Sequence, residues 1–209
     1  MPRVLVSGLV NLETTVRIDG FPIPYFPVRY PFFGVATAVS GVGYNVVKAL
    51  KALGDTPLLL SLVAPDPAGR QVREALSGNG LDLSCVLDGA RETPQSVILY
   101  DADGRRQIHV DLKDVQERAY PWELFVRALP ECDAAALCNV NFSRPFLSAA
   151  REAGKLVATD VHAVASLDDD YNVDFATLDT LYNLPDTAAA LSEEISNQVG
   201  FPVTVTCGA

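Results

Sequence analysis

Short apolar runs alternate with amphipathic stretches along most of this chain. Seven runs have the composition of strands, at 3–8, 56–63, 84–87, 133–138, 156–160, 180–182 and 202–206. Apolar residues at helical spacing predict helices that begin near 43–45 and cover 67–76, 121–129, 144–153 and 185–198. Strands separated by helices are typical of right-handed βαβ units. The pattern therefore predicts an α/β fold, with a parallel central sheet flanked by helices.

Two regions break this alternation. Residues 14–18 alternate in polarity, and residues 21–33 contain four prolines and six aromatics. Proline at this density excludes a helix or a central strand, and the aromatics indicate a flap over a pocket or against a second subunit, with internal packing as the alternative. Residues 93–100 and 105–110 flank Asp101-Ala-Asp-Gly104, a hairpin signal. We predict a β lid from 14–33 and 94–112, and an α/β domain from 1–13 and 34–209.

A glycine turn precedes the first predicted helix. Gly41 and Gly43 are one residue apart, so the backbone can turn tightly and approach a bound molecule. Asn45 then lies in the first helical turn, where its amide could bind a hydroxyl-rich ligand or cap the helix. A purely structural turn is equally consistent with these residues.

Polar residues follow the predicted strands repeatedly. The carboxyl ends of parallel strands lie on one edge of a sheet, where open α/β folds bind ligands. We therefore predict a binding cleft formed by four pairs: Asn11 and Glu13, Asn139 and Asn141, Asp160 and His162, and Asn183 and Asp186.

Composition narrows the choice of partners. The 209 residues carry a formal charge of −10 with no basic cluster, which argues against nucleic acid and anionic membranes. No apolar stretch approaches a membrane span, and Met1-Pro2-Arg3-Val4 leads into a strand without a signal peptide. The four cysteines are widely separated, which favours free thiols over disulfides or zinc. We predict a cytoplasmic protein.

Five motifs occur in a characteristic order. They are Asn11-Leu12-Glu13, Ser40-Gly41-Val42-Gly43-Tyr44-Asn45, the Asp101–Arg105 hairpin, Asn183-Leu184-Pro185-Asp186 and the strand and turn at 204–209. Together they resemble the PfkB/ribokinase family of carbohydrate kinases, over essentially the whole chain. The resemblance implies a ribokinase-like fold and phosphorylation of a sugar or nucleoside with ATP and Mg²⁺.

The resemblance also implies roles for individual residues. The substrate is expected to be bound by Asn11, Glu13, Gly41, Gly43, Asn45 and Asn141. By the same resemblance, the nucleotide is expected to be bound by Asn183, Thr206 and Gly208, and the metal ion by Asp186. The aromatic flap further suggests a homodimer through the lid.

The sequence departs from the family pattern at several of these positions. Glu13 replaces an aspartate, Ser40 replaces a glycine, Tyr44 is bulkier than usual, and Asp186 shortens a glutamate. Asn141 stands where several members carry a sugar-binding glutamate. These changes leave open which sugar is bound and how strongly the metal ion is held.

The catalytic aspartate of the family belongs to a Gly-Ala-Gly-Asp motif, which this sequence lacks. Phosphoryl transfer needs a base and an anion-stabilising cradle, so no catalytic residue is assigned in this chain. We expect the substrate half of a kinase, from an incomplete sequence rather than a natural truncation.

Two other functions are compatible with parts of this pattern. A non-catalytic sugar-binding or regulatory module of the same fold would explain the missing base. A nucleotide-binding oxidoreductase fits less well, because the glycine turn lacks a third glycine and does not follow the first strand. His109 and His162 are isolated in the sequence, which favours structural or surface positions over metal ligation or base catalysis.

Overall fold

The computed structural model describes residues 1–160, 180–182 and 204–206. Its strands are β1 (Arg3–Ser7), β2 (Asn11–Arg17), β3 (Val35–Ser40), β4 (Thr56–Val63), β5 (Val86–Asp88), β6 (Gln95–Tyr100), β7 (Arg106–Asp111), β8 (Ala134–Leu137), β9 (Leu156–Asp160), β10 (Thr180–Tyr182) and β11 (Thr204–Thr206). Four α-helices lie in the same residues: α1 (Val42–Ala52), α2 (Pro67–Gly78), α3 (Trp122–Ala128) and α4 (Phe146–Glu152). The predicted helix at 185–198 lies outside the described residues.

The central sheet is parallel throughout its described strands. Their order is β11-β10-β9-β8-β1-β4-β5. The predicted α/β class with helices around a parallel sheet is confirmed. The predicted strands 56–63, 156–160 and 180–182 coincide with β4, β9 and β10.

One core lies between the sheet and helices α1 and α2. Val47 of α1 and Val72 of α2 are fully buried there, together with Val6 of β1 and Leu59 of β4. The side chains of successive strand residues point to opposite faces of the sheet, so the residues next to Val6 and Leu59 point to the other side.

The second core lies on that other side, against α3 and α4. Leu5 and Leu60 from the sheet pack there with Phe125 and Phe146. The two phenylalanine rings stack, with centroids 4.0 Å apart and planes 8° from parallel. Helices on both faces explain why β4 is a nearly continuous apolar run, since neither face meets water.

A second, mixed sheet has the order β3-β2-β6-β7. β2 pairs antiparallel with β3 and parallel with β6, and β6 and β7 form the hairpin predicted around 101–104. This sheet differs from the predicted lid in its strands. β2 begins at Asn11 rather than at 14, and Val35–Ser40, assigned from sequence to the α/β domain, is its edge strand. The division into two domains stays a prediction.

The proline- and aromatic-rich segment joins β2 to β3 without helix or strand between 18 and 34, as its prolines predict. We define residues 21–33 as the aromatic segment. Internal packing, one of the two interpretations of its aromatics, is not what the chain adopts for most of them. Tyr25, Tyr30 and Phe32 are 88%, 74% and 75% exposed, and Phe33 is fully exposed.

Across the described ranges, no helix is both long and apolar enough to cross a membrane.

Asp66 joins the second sheet to the central one. It is the N-cap of α2, and its carboxylate accepts a hydrogen bond from the Gly69 amide at 2.7 Å. It also accepts the amide of Thr93 at 2.9 Å and its hydroxyl at 2.8 Å, just before β6. Burial acts to raise the pKa of Asp66, but the hydrogen bonds from Thr93 and Gly69 outweigh it, so its pKa lies below the ordinary value.

Asp66→Ala should therefore destabilise the protein in a pH-dependent manner. We expect a loss of about 1 to 2 kcal/mol in the free energy of unfolding at pH 7, typical of a lost N-cap. Because the folded-state pKa is lowered, the ionised carboxylate stabilises the fold above its unfolded-state pKa, and this contribution disappears as the pH falls through the folded-state pKa. Urea unfolding of wild type and variant across this range measures the difference. If the difference in the free energy of unfolding between wild type and Asp66→Ala stayed constant down to low pH, the stabilising role of the ionised carboxylate would be contradicted.

Candidate functional site

The start of α1 packs directly against the end of β1. The Gly43 amide donates to the Leu9 carbonyl at 3.0 Å, and Gly41 has a φ of 106°, in the region that favours glycine. A Cβ at Gly43 would lie 2.7 Å from the carbonyl carbon of Gly8. A Cβ at Gly8 would in turn lie 2.6 Å from the Cys138 sulfur, just after β8. The glycine turn, β1 and β8 thus meet at the carboxyl edge of the sheet.

Asn11 and Glu13 extend from this point along β2. They are two residues apart on one strand, so they lie on the same face of the second sheet. Their β3 partners are Ser40 and Ala38, both small. Asn11 is buried and Glu13 half-buried. Asn11 and Gly41 are in contact, because a Cβ at Gly41 would lie 2.8 Å from the Asn11 Oδ1.

Asn45 and Tyr44 differ in burial at the start of α1. Asn45 is exposed, one turn after Gly41. Tyr44 is buried, and its hydroxyl accepts a hydrogen bond from Asn79, just past α2, at 3.1 Å. The bulk that distinguishes Tyr44 from the family pattern is therefore accommodated between α1 and α2.

Asn141 lies in a short 3₁₀ helix, Asn141–Ser143, that follows β8. Its side-chain amide donates to the Gln116 carbonyl at 2.9 Å, and its Oδ1 accepts from the Arg144 Nε at 3.0 Å. Its backbone amide also donates to the Gln116 side chain at 2.9 Å. Both ends of the Asn141 amide thus contact this chain, an arrangement that the sequence does not predict.

Polar groups at neighbouring strand ends meet beside it. Asp160 is fully buried at the end of β9, and its carboxylate accepts a hydrogen bond from the backbone amide of Asn139 at 2.9 Å. The hydroxyls of Ser7 and Ser143 lie 2.7 Å apart at the end of β1. Asn139 and Asp160 are among the residues predicted to form the cleft, whereas the two serines belong to no motif and were not predicted.

The β6–β7 hairpin is tied at its base. Asp114, which follows β7, accepts the Arg91 amide at 2.9 Å and the Arg118 guanidinium. The hydrogen bond from the Arg91 amide and those from Arg118 hold the pKa of Asp114 below its ordinary value. The two chain segments that enter and leave the hairpin are thereby held together.

The predicted nucleotide and metal residues fall mainly outside the described part of the chain. Asn183, Asp186 and Gly208 lie there, as does His162. Thr206 ends β11, and its register partner is Tyr182 of β10. Within the residues that are described, no group of three or more His, Cys, Asp or Glu side chains could hold a metal ion.

Sequence and structure comparisons relate this arrangement to known proteins. Residues 5–197 match the pfkB family carbohydrate kinase. The ATP-dependent ribose-1-phosphate kinase of Halopiger xanaduensis is 30% identical over 206 residues, which are 96% of this chain and 67% of that protein. The chain thus spans about two thirds of the length of this relative.

Solved structures show the same fold at lower identity. A microbiome-derived acarbose kinase, Mak1, superposes with a TM-score of 0.80 at 23% identity, covering 99% of this chain and 70% of that one. The nucleoside kinase of Burkholderia thailandensis in complex with inosine gives a TM-score of 0.71 at 13% identity, covering 98% and 70%. With a family match over most of its length, this chain belongs to the pfkB family of carbohydrate kinases.

Proposed function

We propose that this protein transfers a phosphoryl group from ATP to a hydroxyl of a sugar or nucleoside, and that this chain carries the acceptor half of the site. The observation that carries the proposal is the grouping of Asn11 and Glu13 on one sheet face beside the Gly41–Gly43 turn. Amide and carboxylate groups are suited to recognising a polyol, because each forms directional hydrogen bonds with hydroxyls.

In this proposal the residues of the chain bind and orient the acceptor. Glu13 accepts a hydrogen bond from one hydroxyl, Asn11 holds a second, and Asn45 reaches the acceptor from the first turn of α1. Gly41 and Gly43 let the backbone approach closely because neither has a side chain. Asn141 belongs to this group by resemblance. Because its side chain is held by Gln116 and Arg144, we infer that it forms part of the wall of the acceptor site.

ATP and Mg²⁺ complete the proposed site. Bound ATP supplies the phosphoryl group, and Mg²⁺ offsets its negative charge. Asn183, Thr206 and Gly208 would hold the phosphates, with Asp186 organising the metal ion. The named relatives, a ribose-1-phosphate kinase, an acarbose kinase and a nucleoside kinase, support an acceptor rich in hydroxyls.

We also propose that the protein is a homodimer joined through the second sheet and the aromatic segment. Five aromatics of this segment are 59% to 106% exposed: Tyr25, Phe26, Tyr30, Phe32 and Phe33. At roughly 200 Å² per aromatic side chain, they offer about 800 Å² of largely apolar surface, close to the share of each partner in a standard interface. A second copy of this chain would cover it. The cytoplasmic location remains a prediction from the sequence.

A turnover screen of the full-length protein with ATP, against pentoses, hexoses, sugar phosphates and nucleosides, tests the kinase function. We expect at least one acceptor to be phosphorylated. Glu13→Gln should raise the KM for that acceptor roughly 10- to 100-fold, because a hydrogen bond to a charged group is worth about 1.5 to 3 kcal/mol. Glu74→Gln, on the exposed side of α2, is the matched control and should behave as wild type. Binding of a sugar without turnover would favour the non-catalytic module instead.

A further inference from the structure

Asn11 is a buried member of the proposed substrate-binding group, and its side chain contacts the neighbouring strand β6. Its Nδ2 donates to the Ser96 Oγ at 2.8 Å, across 85 residues of sequence. On the other side, its Oδ1 lies against the Gly41 backbone, where a Cβ would come within 2.8 Å. Asn11 and Ser96 are only 4% and 5% exposed. The amide is therefore anchored through its Nδ2 in a nearly closed environment, with its Oδ1 beside the Gly41 backbone.

The contact with Ser96 fixes the place of the Asn11 side chain, and in the structure the donor end of the amide faces the serine. An asparagine amide has a donor end and an acceptor end of similar shape, so a half-turn about its last bond exchanges them. With Nδ2 directed at Ser96, Oδ1 accepts no hydrogen bond from any residue in the described ranges. This leaves Oδ1 as an acceptor for a ligand hydroxyl.

Ser96 is close in the chain to a residue that is bonded to the start of α2. It lies in β6, three residues after Thr93, whose amide and hydroxyl both donate to the Asp66 carboxylate at the start of α2. Ser96 is the register partner of Glu13, so it lies on the same face of the second sheet as Asn11 and Glu13. The connection from α2 to the Asn11 amide thus consists of the Asp66–Thr93 hydrogen bonds, three residues of backbone and the Ser96 hydroxyl.

We infer that Ser96 is a positioning residue for acceptor binding, which holds the Asn11 side chain in place beside the acceptor. The inference rests on the proposed function, because it gives Asn11 the role of a substrate contact. Ser96 does not touch the acceptor in this arrangement and acts only through Asn11.

Three variants of the full-length enzyme test this role. Ser96→Ala removes the acceptor of the Asn11 hydrogen bond, and Ser96→Thr keeps a hydroxyl. Thr37→Val is the matched control, because its hydroxyl pairs with Thr14 at 3.1 Å on the opposite face of the same sheet. We expect Ser96→Ala to raise the KM for the acceptor about tenfold, equivalent to about 1.4 kcal/mol, with the KM for ATP unchanged. Ser96→Thr and Thr37→Val should both stay close to wild type.

A general loss of stability would not produce this pattern. Equal changes in both KM values, or no rescue by threonine, would overturn the positioning role. A second measurement does not depend on turnover. Solvent exchange of the Asn11 side-chain amide hydrogens, followed by NMR, should be at least about fivefold faster in Ser96→Ala than in wild type, because a hydrogen bond worth about 1 kcal/mol or more is lost. Equal exchange would overturn the inference, even if no acceptor were found and the proposed function had failed.

Discussion

Gly43→Ala should be among the most damaging single substitutions in this protein. The new Cβ would lie 2.7 Å from the carbonyl carbon of Gly8, 2.9 Å from its oxygen and 3.0 Å from its Cα. All three are backbone atoms, so no side chain can move aside, and α1 must shift away from β1. We expect a loss of about 3 kcal/mol in the free energy of unfolding, at the upper end for overpacked sites. The same shift would displace Gly41 and Asn11, so acceptor binding should weaken as well.

Gly78→Ala provides a matched control for this variant. Gly78 ends α2, and a Cβ there would meet nothing within 4 Å. Alanine at such a site should be neutral or should stabilise the protein by about 0.5 kcal/mol. Thermal unfolding compares the two, and Gly43→Ala should lower the Tm by roughly 6 to 12 °C for a chain of this size. A Tm within a degree or two of wild type would mean that the packing of Gly43 on Gly8 is not tight.

The paired substitution Phe32→Ser with Phe33→Asn should convert the proposed dimer to monomers. Both side chains are exposed in the single chain, so their removal should cost little folding stability. Asparagine suits the position of Phe33, whose φ of 54° is one that asparagine tolerates better than most residues. Each aromatic would be lost from both copies of a symmetric interface. We expect the dissociation constant to rise at least roughly 100-fold, as for interface hot spots.

Sedimentation analysis at micromolar concentration measures this change. Leu53→Ser is a suitable control, because Leu53 is 79% exposed at the end of α1, remote in sequence from the aromatic segment. Leu53→Ser should leave the mass of the sedimenting species the same as in wild type. A wild type that sediments as a monomer, or a paired variant that remains dimeric, would contradict the proposed interface.

The candidate site was predictable from the sequence to a limited extent. Asn11, Glu13 and the two glycines were selected by motif, and the structure brings Asn11 and the glycines together near the end of β1, with Glu13 two residues further along β2. Ser96 was not selected, since its contact with Asn11 joins positions 85 residues apart. Asn141 was selected by its place after a predicted strand and by the resemblance, but its contacts with Gln116 and Arg144 depend on how the segment after β7 docks against β8.

The sequence by itself determined the class of the fold and the order of its main elements. Hydrophobic periodicity and the proline and glycine positions are local signals, so they specify each strand and helix without knowledge of their neighbours. The tertiary structure decided which strands form the second sheet, because Val35–Ser40 became its edge only through pairing with β2. It also decided the need for glycine at position 43. The N-terminus of α1 packs within contact distance of Gly8, where no side chain fits, and the sequence alone cannot reveal that approach.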